Sequence, residues 1–544
     1  MLSVLEFAES EARSGSCVAV MLSYEAAPAF DPAFVAHAPS DFPLAWASSL
    51  ECGDLAPLCY RWGLIEDHSG ARPPHSKPAP TSWTTRVSRD EYDRAVARIR
   101  ELIAAGDTYQ VNYSFPLTSP FNGEPRAWYQ SLCLAQGAPY SIYLDLGRFK
   151  VLCLSPELFF ERRGDHVVTR PMKGTIRRGR WLEEDQQLAA QLRQSTKDRA
   201  ENVMIVDLLR NDLGKVSVPG SVRVSSLFDV ERFETVWQMT STVEATLRSG
   251  TSLAELMTAL FPCGSITGAP KIRTMEIIRE LEPFPRSAYT GTIGFIRPGG
   301  DCIFNVAIRT VVVDTELNVA TFGVGGGVTI DSTAESEYEE CLVKSKFLHS
   351  SPVEFQLFES ILLEDGEYFL LAEHLERMRK SAEFFGFEPR SSADFERIAA
   401  QNPLGTFKVR VTMWRDGRVE TDVVPVEIGG TRRVRLAAKP VDSSDRFLFH
   451  KTTRRDFYVG DDIIFYNERG EITESSIANV VARVGDELFT PPVESGLLPG
   501  TFRNELIARG EIKERVITID ELRSADQIFL INSVRKWMRA DLSD

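Results

Sequence analysis

Four carboxylates stand in two pairs with i,i+3 spacing. Asp198 and Glu201 fall in one helical pattern and Glu337 and Glu340 in another, and this spacing puts both acids of a pair on one helix face. Two such faces meeting across a pocket offer the oxygen ligands that Mg²⁺ prefers. Taken separately, each is an ordinary solvated pair. Glycines and small polar residues cluster in Gly264-Ser-Ile-Thr-Gly-Ala-Pro-Lys271 and in Gly323-Val-Gly-Gly-Gly327. The first precedes a helical pattern, whose free N–H groups can bind an anion. The second ends a strand pattern, where glycine lets a ligand approach the backbone closely. Arg309 and Lys344 could supply positive charge for a substrate carboxylate. Lys173 lies between a proline and a glycine in Thr169-Arg-Pro-Met-Lys-Gly-Thr175. It is either a surface lysine or, where burial or nearby cations keep it uncharged, a nucleophile.

A second set lies farther along. Lys451 sits in Phe449-His-Lys-Thr-Thr-Arg-Arg455, and Glu474 in Gly470-Glu-Ile-Thr-Glu-Ser-Ser-Ile-Ala-Asn479. Leu498-Pro-Gly-Thr501 stands ahead of a helical run and offers N–H groups and a hydroxyl at a helix N-terminus, a cup for phosphate. A lysine beside such a cup can form a Schiff base, and a glutamate can keep a pyridinium nitrogen protonated. Taken singly these are one lysine of many, a surface acid and a turn signal.

The elements that must position these groups are legible. Ser88 and Glu91 have capping-box spacing ahead of an apolar face made by Tyr92, Val96, Ile99, Leu102 and Ile103, and Gly106 stops that helix. Further helices are expected over 183–195, 197–213, 252–260, 270–281 and 335–348. Strands are expected over 108–115, 141–146, 150–160, 166–169, 290–297, 303–313 and 318–330. This grouping of strands with long helices between them predicts an α+β fold, a layered α/β sandwich. His68–Trp83, with four prolines, reads as an exposed connection. Near Ser350-Ser-Pro352 the pattern restarts, so the expected modules are 1–349 and 355–544. The second should open with a hairpin around Glu364-Asp-Gly366, then a helix over 372–385 with Leu375, Met378 and Ala382 turned inward. Short strands and a mixed α/β tail follow.

Composition narrows the class. With 544 residues, 43% hydrophobic and 26% charged, the chain is an average globular mix of several domains. Sixty-two basic against 77 acidic residues give a net charge of -15, so no general attraction to nucleic acid or anionic lipid is expected. Eight cysteines with no Cys-x-x-Cys suit a reducing cytoplasm, and all precede residue 342. No apolar run is long enough to span a bilayer, and the first residues lack the marks of a signal peptide.

Ser155-Pro-Glu157, Pro171-Met-Lys-Gly-Thr175, Lys197–Leu208, Arg210-Asn-Asp-Leu213, Gly264–Lys271 and Ile308-Arg-Thr310 follow one another in an order that resembles the chorismate-utilising enzymes. The set is similar to anthranilate synthase and, more closely, to aminodeoxychorismate synthase component I. The resemblance implies that Glu157 protonates the departing 4-hydroxyl of chorismate. It implies Mg²⁺ on Glu201 and Glu340, with Asp198 and Glu337 acting through water. Ser265, Arg309, Lys344 and the Gly325-Gly326-Gly327 backbone would hold substrate carboxylates. Gln110 matches a glutamine of the aminating members, and Gln238 stands where many members carry histidine. Lys173 separates the para-aminating enzymes, whose lysine adds to C2 of the ring, from anthranilate synthases, which carry alanine. Ammonia and a separate glutamine amidotransferase subunit are the implied partners, since no glutaminase is recognisable in the chain.

The second set resembles the fold-type IV pyridoxal-phosphate enzymes, among them 4-amino-4-deoxychorismate lyase. Lys451 then matches the Schiff-base lysine and Glu474 the pyridinium partner. Thr501, the Phe502 backbone, Ser533 and Arg377 match phosphate contacts. Only 23 residues separate Lys451 from Glu474, fewer than in the enzymes it resembles, so a shortened helix is expected there. A homodimer through this module is one arrangement the resemblance allows. The two resemblances together imply a bifunctional, cytoplasmic enzyme that aminates chorismate and then releases pyruvate to leave 4-aminobenzoate. The alternatives are an anthranilate-forming first module joined to a class IV aminotransferase, or a second module without catalysis.

Overall fold

The computed structural model describes residues 1–50, 80, 82–349, 354–388, 393–455 and 462–543. The Pro-rich connection and the expected junction fall mostly outside these, as does part of the stretch after Lys451. The chain divides into two compact units. Met1–Arg177 with Ala189–Pro352 form the first, and Arg178–Leu188 with Val353–Asp544 form the second. A short piece from the middle of the first stretch therefore packs as part of the second unit. No helix of the described residues is long and apolar enough to cross a membrane.

Two antiparallel sheets build the first unit. Among the described residues one has nine strands and carries Leu158–Arg163, His166–Arg170 and Met172–Arg177; the other has seven and carries Gln110–Pro120 and Val319–Val328. One cluster of buried side chains draws on both sheets and on the helices, from Val20 and Phe304 to Val111, Phe322 and Met257. Ser88 and Glu91 close the capping box of Arg89–Ala104, as their spacing predicts. The expected helices form as Leu182–Gln194, Thr196–Gly214, Leu253–Leu260, Lys271–Leu281 and Ala334–Ser345. Among the elements additional to the sequence reading are the helices Leu2–Arg13 and Pro125–Gln136, the strands Cys17–Leu22 and Ala45–Leu50, and the hairpin Arg223–Arg232 with Val236–Thr246.

In the second unit Leu357–Glu364 and Glu367–Phe369 form the expected hairpin, turning through Asp365 and Gly366 at φ of 48° and 81°. Both residues take the left-handed conformation that a tight hairpin turn needs. The helix Leu371–Phe385 ends at Gly386, φ 70°, the left-handed cap that glycine accepts most easily. Its inward face differs from the expectation at one position. Met378 and Ala382 are buried, but Leu375 is 38% exposed and His374 is fully buried in its stead. His374 can be inside because Glu359 and the Thr501 hydroxyl satisfy both ring nitrogens, at 2.7 and 3.2 Å. The larger sheet of this unit has eight strands. Its first strand, Ile472–Ser475, also bridges the sixth, Asn479–Val484, at Glu474–Asn479, which closes the sheet on itself.

Candidate active sites

In the first unit the candidate groups arrive from four directions. Glu157 follows the strand Phe149–Ser155; the Ser155 hydroxyl donates to the Val306 carbonyl at 2.6 Å and accepts from the Glu157 N–H at 3.1 Å. Lys173 projects from the strand Met172–Arg177. Its neighbour Gly174, at φ 99°, lies so near the Asp198 side chain that a Cβ would meet it at 2.9 Å. Asp198 and Glu201 lie in the first turns of Thr196–Gly214, where the Ser195 hydroxyl accepts from the Asp198 N–H. Glu337, Glu340 and Lys344 lie on Ala334–Ser345, which Thr333 caps.

These groups line one cavity of about 410 Å³ together with Ser265, Arg309, Gly325 and Gly327. Gly326 is beside them, since a Cβ there would come within 2.8 Å of Glu337 Oε2. Gln110 lies just behind. A Cβ on Gly327 would meet its Nε2 at 2.7 Å and Lys173 Nζ at 3.0 Å. Both polar atoms of the Gln110 amide are buried without a hydrogen-bond partner among the described residues. Buried amides are nearly always paired, so this one is poised for a group that enters the cavity. Gly327→Ala is therefore expected to lower kcat/KM for amination by about tenfold or more, by displacing Gln110 and Lys173. The melting temperature should stay close to that of the parent, and steady-state assays beside a melting curve check both.

The electrostatics separate the roles. Burial pushes the Glu157 carboxyl up to about 7, although the Ser265 hydroxyl donates to its Oε1 at 2.6 Å and Lys173 opposes the shift. Burial also drives the Lys173 amine below its ordinary value; Glu201 resists and Lys344 reinforces the change. Burial opposes the Lys344 charge, but Glu340, 2.7 Å away, together with Cys341 and Tyr289, outweighs it and raises the amine above its ordinary value; the amine also donates to the Gly325 carbonyl at 2.8 Å. Arg309 holds a left-handed φ of 49°, and burial alone lowers its guanidinium to about 10.

Glu201 and Glu337 are both raised, first by burial and further by neighbouring carboxylates. A divalent cation would relieve this mutual repulsion, and an all-oxygen donor set suits Mg²⁺. Among the described residues, no group of three His, Cys, Asp or Glu forms a ready-made metal site. Lys197, 3.9 Å from Glu201, and Gln238, which accepts from the Thr175 hydroxyl at 3.0 Å, also border the cavity.

In the second unit a narrow pocket collects Arg377, Lys451, Glu474, Thr501 and Ser533. Thr501 begins the helix Thr501–Ala508, so the Thr501 and Phe502 N–H groups lie at its open end. The Phe502 ring itself belongs to the core. A Cβ on Gly500 would lie 2.1 Å from Asn479 Oδ1, so only glycine fits at the lip. Arg377 is fixed by two hydrogen bonds to Glu359, at 2.8 and 2.6 Å, and one to the Pro499 carbonyl. Burial opposes the Glu359 charge, but Arg377 and His374 outweigh it and hold the carboxyl down to about 2. Burial, with Arg455 and Arg377, pushes Lys451 down to about 7. An oxygen-rich, cationic cup, a buried carboxylate and an amine of low basicity suit pyridoxal phosphate.

The sequence reading missed Glu359, His374, Asn479 and Arg455. Glu359 carried a signal, as the one acid inside the apolar strand Leu357–Glu364, whose other acid stands at its end.

Two family models match the chain. Residues 4–350 match the model of the chorismate binding enzymes, and residues 356–541 match that of class IV amino-transferases. Aminodeoxychorismate synthase component 1 of Salmonella typhimurium is 38% identical over 56% of this chain and 71% of its own length. The Bacillus subtilis protein of that name is 42% identical over 48% of this chain and 56% of its own. Among solved structures, anthranilate synthase component I of Streptococcus pneumoniae covers 62% of this chain and 80% of its own, with TM-score 0.51 and 24% identity. That likeness concerns the fold.

Proposed function

The chain belongs to the chorismate binding enzymes, and from that premise we propose that it converts chorismate and ammonia into 4-aminobenzoate in two steps. The first unit makes 4-amino-4-deoxychorismate, and the second removes pyruvate from it. What carries the first step is that Lys173, whose amine burial drives below its ordinary value, lines one cavity with Glu157, whose carboxyl burial raises to about 7. Lys173 forms a bond to C2 of the ring while Glu157 gives a proton to the departing 4-hydroxyl, which leaves as water. Ammonia then bonds at C4 and the lysine leaves with its electron pair restored. Arg309, Lys344 and the Gly325–Gly327 backbone orient the carboxylates. Asp198, Glu201, Glu337 and Glu340 are the residues to hold Mg²⁺, which would neutralise the ring carboxylate. The ammonia comes from a separate amidotransferase component, in keeping with the component-1 relatives.

In the second step Thr501, Phe502, Ser533 and Arg377 would hold the phosphate of pyridoxal phosphate and Glu474 its ring nitrogen. When bound, the cofactor would supply an electron sink. Lys451 would anchor it and, once displaced by the substrate's amino group, take the proton from C4 of the substrate ring, so that aromatisation drives loss of the enolpyruvyl group. What supports the lyase over an aminotransferase is the first unit, whose product is a substrate that needs no amino-group partner.

The test is product analysis with chorismate, ammonium, Mg²⁺ and pyridoxal phosphate. Equal amounts of 4-aminobenzoate and pyruvate, formed without an added amino acid, are expected; fluorescent anthranilate would refute the reading. The amination step should also show a bell-shaped pH profile at constant free ammonia. Glu157 must be protonated, so kcat/KM should fall as pH rises through about 7. Lys173 must be neutral, so the acidic limb should lie below the ordinary lysine range. Glu157→Gln should remove the alkaline limb.

A further inference from the structure

The piece Arg178–Leu188 leaves the first unit five residues after Lys173 and packs wholly within the second. It is built to hold one shape. Arg178, 8% exposed, donates to both oxygens of Asp185 at 2.8 Å, and the Gly179 N–H adds a third bond to that carboxylate at 2.7 Å. A Cβ on Gly179 would lie 2.2 Å from the Asp185 nitrogen, so glycine is required by the close approach. Arg178 also donates to the Phe384 carbonyl at 3.2 Å. Trp181 lies against Phe449 with ring centroids 5.1 Å apart, and Leu182 enters the core formed by Phe385, Met378 and Phe447.

The end of this contact is His450, the residue before Lys451. Its Nε2 is 3.0 Å from the Arg180 carbonyl. A carbonyl only accepts, so Nε2 carries the proton and Nδ1 is left to accept from the Ser381 hydroxyl at 2.9 Å. Phe384 stacks on the imidazole at 4.5 Å and Phe385 meets it edge-on at 4.7 Å. On its other side Lys451 is held by the strand Leu357–Glu364, through the Phe358 N–H to the Lys451 carbonyl at 3.0 Å and the Leu357–Thr452 bridge. On the His450 side no strand pairing exists among the described residues, and the Arg180 carbonyl holds the ring.

We propose that Arg178–Leu188 is a positioning element of the second active site, setting the backbone from which Lys451 projects by way of His450. A loop of the first catalytic sequence thus serves the chemistry of the second unit. The inference rests on the reading of Lys451 as the cofactor-anchoring lysine.

The test uses the full chain. Apoprotein is mixed with pyridoxal phosphate, and the uptake rate and the pH midpoint of the visible absorption band are recorded for Trp181→Ala, Trp181→Phe, His450→Phe and His450→Gln. His450→Phe keeps a ring against Phe384 but cannot donate to Arg180; His450→Gln can. Trp181→Ala and His450→Phe are expected to slow uptake by about tenfold or more, the scale on which a lost orienting contact acts, and to displace the pH midpoint. Trp181→Phe and His450→Gln should recover most of the loss. Wild-type uptake and midpoint in a folded His450→Phe protein, with an unchanged melting curve, would overturn the proposal. So would equal defects in His450→Phe and His450→Gln. The premise fails separately, if the wild-type band is absent or survives Lys451→Ala.

Discussion

Lys451→Ala is expected to stop the chain's output at 4-amino-4-deoxychorismate. The amine would do two things in turn: it would anchor the cofactor and, once the substrate's amino group has displaced it, move the proton at C4. Burial, with Arg455 and Arg377, brings its basicity down to about 7, so that it can exchange a proton near neutrality. Loss of a positioned proton-transfer group costs roughly 10²–10⁴-fold, and loss of the anchor adds to it. Pyruvate release from supplied aminodeoxychorismate should fall by at least that range, while chorismate consumption in the presence of ammonium proceeds as in the parent. Chromatography of the reaction mixture with time reads both. Undiminished 4-aminobenzoate formation by this variant would mean that the second unit does not catalyse through Lys451.

The complementary result is expected for Lys173→Ala. The neighbouring Gln110, Glu157 and Gly327 should keep their places, because Gly327 and the strand pairing around it do not depend on the lysine side chain. What disappears is the buried nitrogen, whose basicity burial lowers. Amination of chorismate should drop by more than about a hundredfold, equivalent to about 2.7 kcal/mol of barrier. Pyruvate release from supplied aminodeoxychorismate should be unchanged. Lys173→Met, which retains the length of the side chain without its nucleophile, should behave as the alanine variant does. If Lys173→Met aminates at the parental rate, covalent participation of this residue is wrong, whatever the fate of the rest of the site.

Much of this was written in local sequence. Capping residues three positions ahead of an acid mark Arg89–Ala104 and Leu253–Leu260, because the Ser side chain and the Glu side chain satisfy each other's backbone N–H. The paired carboxylates were legible for a similar reason, since i,i+3 spacing on one helix fixes a common face. Gly327 and Lys173 come together through strand pairing, which the glycine run only suggests. The misplacement of Leu375 has a plain cause. Hydrophobicity ranks leucine above histidine, but His374 finds a buried carboxylate and a buried hydroxyl supplied by distant parts of the chain, and that pairing decides which side of the helix faces in. The hairpin Arg223–Arg232 with Val236–Thr246 escaped notice because its first strand has no fully buried side chain and thus little hydrophobic pattern. Arg178 and Asp185 look like members of an ordinary charged run. Only their tertiary neighbours, Phe384 and His450, reveal them as interior residues of another unit.

That discontinuity constrains how the protein is made. Synthesis runs from the N-terminus, and domains generally fold as they emerge. Arg178–Leu188 leaves the ribosome while Phe384, Phe449 and His450 have still to be translated, with residues 189–352 intervening. The first unit must therefore take shape with Trp181 and Leu182 waiting uncovered on a tethered segment. The second unit, once made, completes its core with a piece already present, so a gene cut near residue 350 would yield a C-terminal fragment lacking part of its own interior.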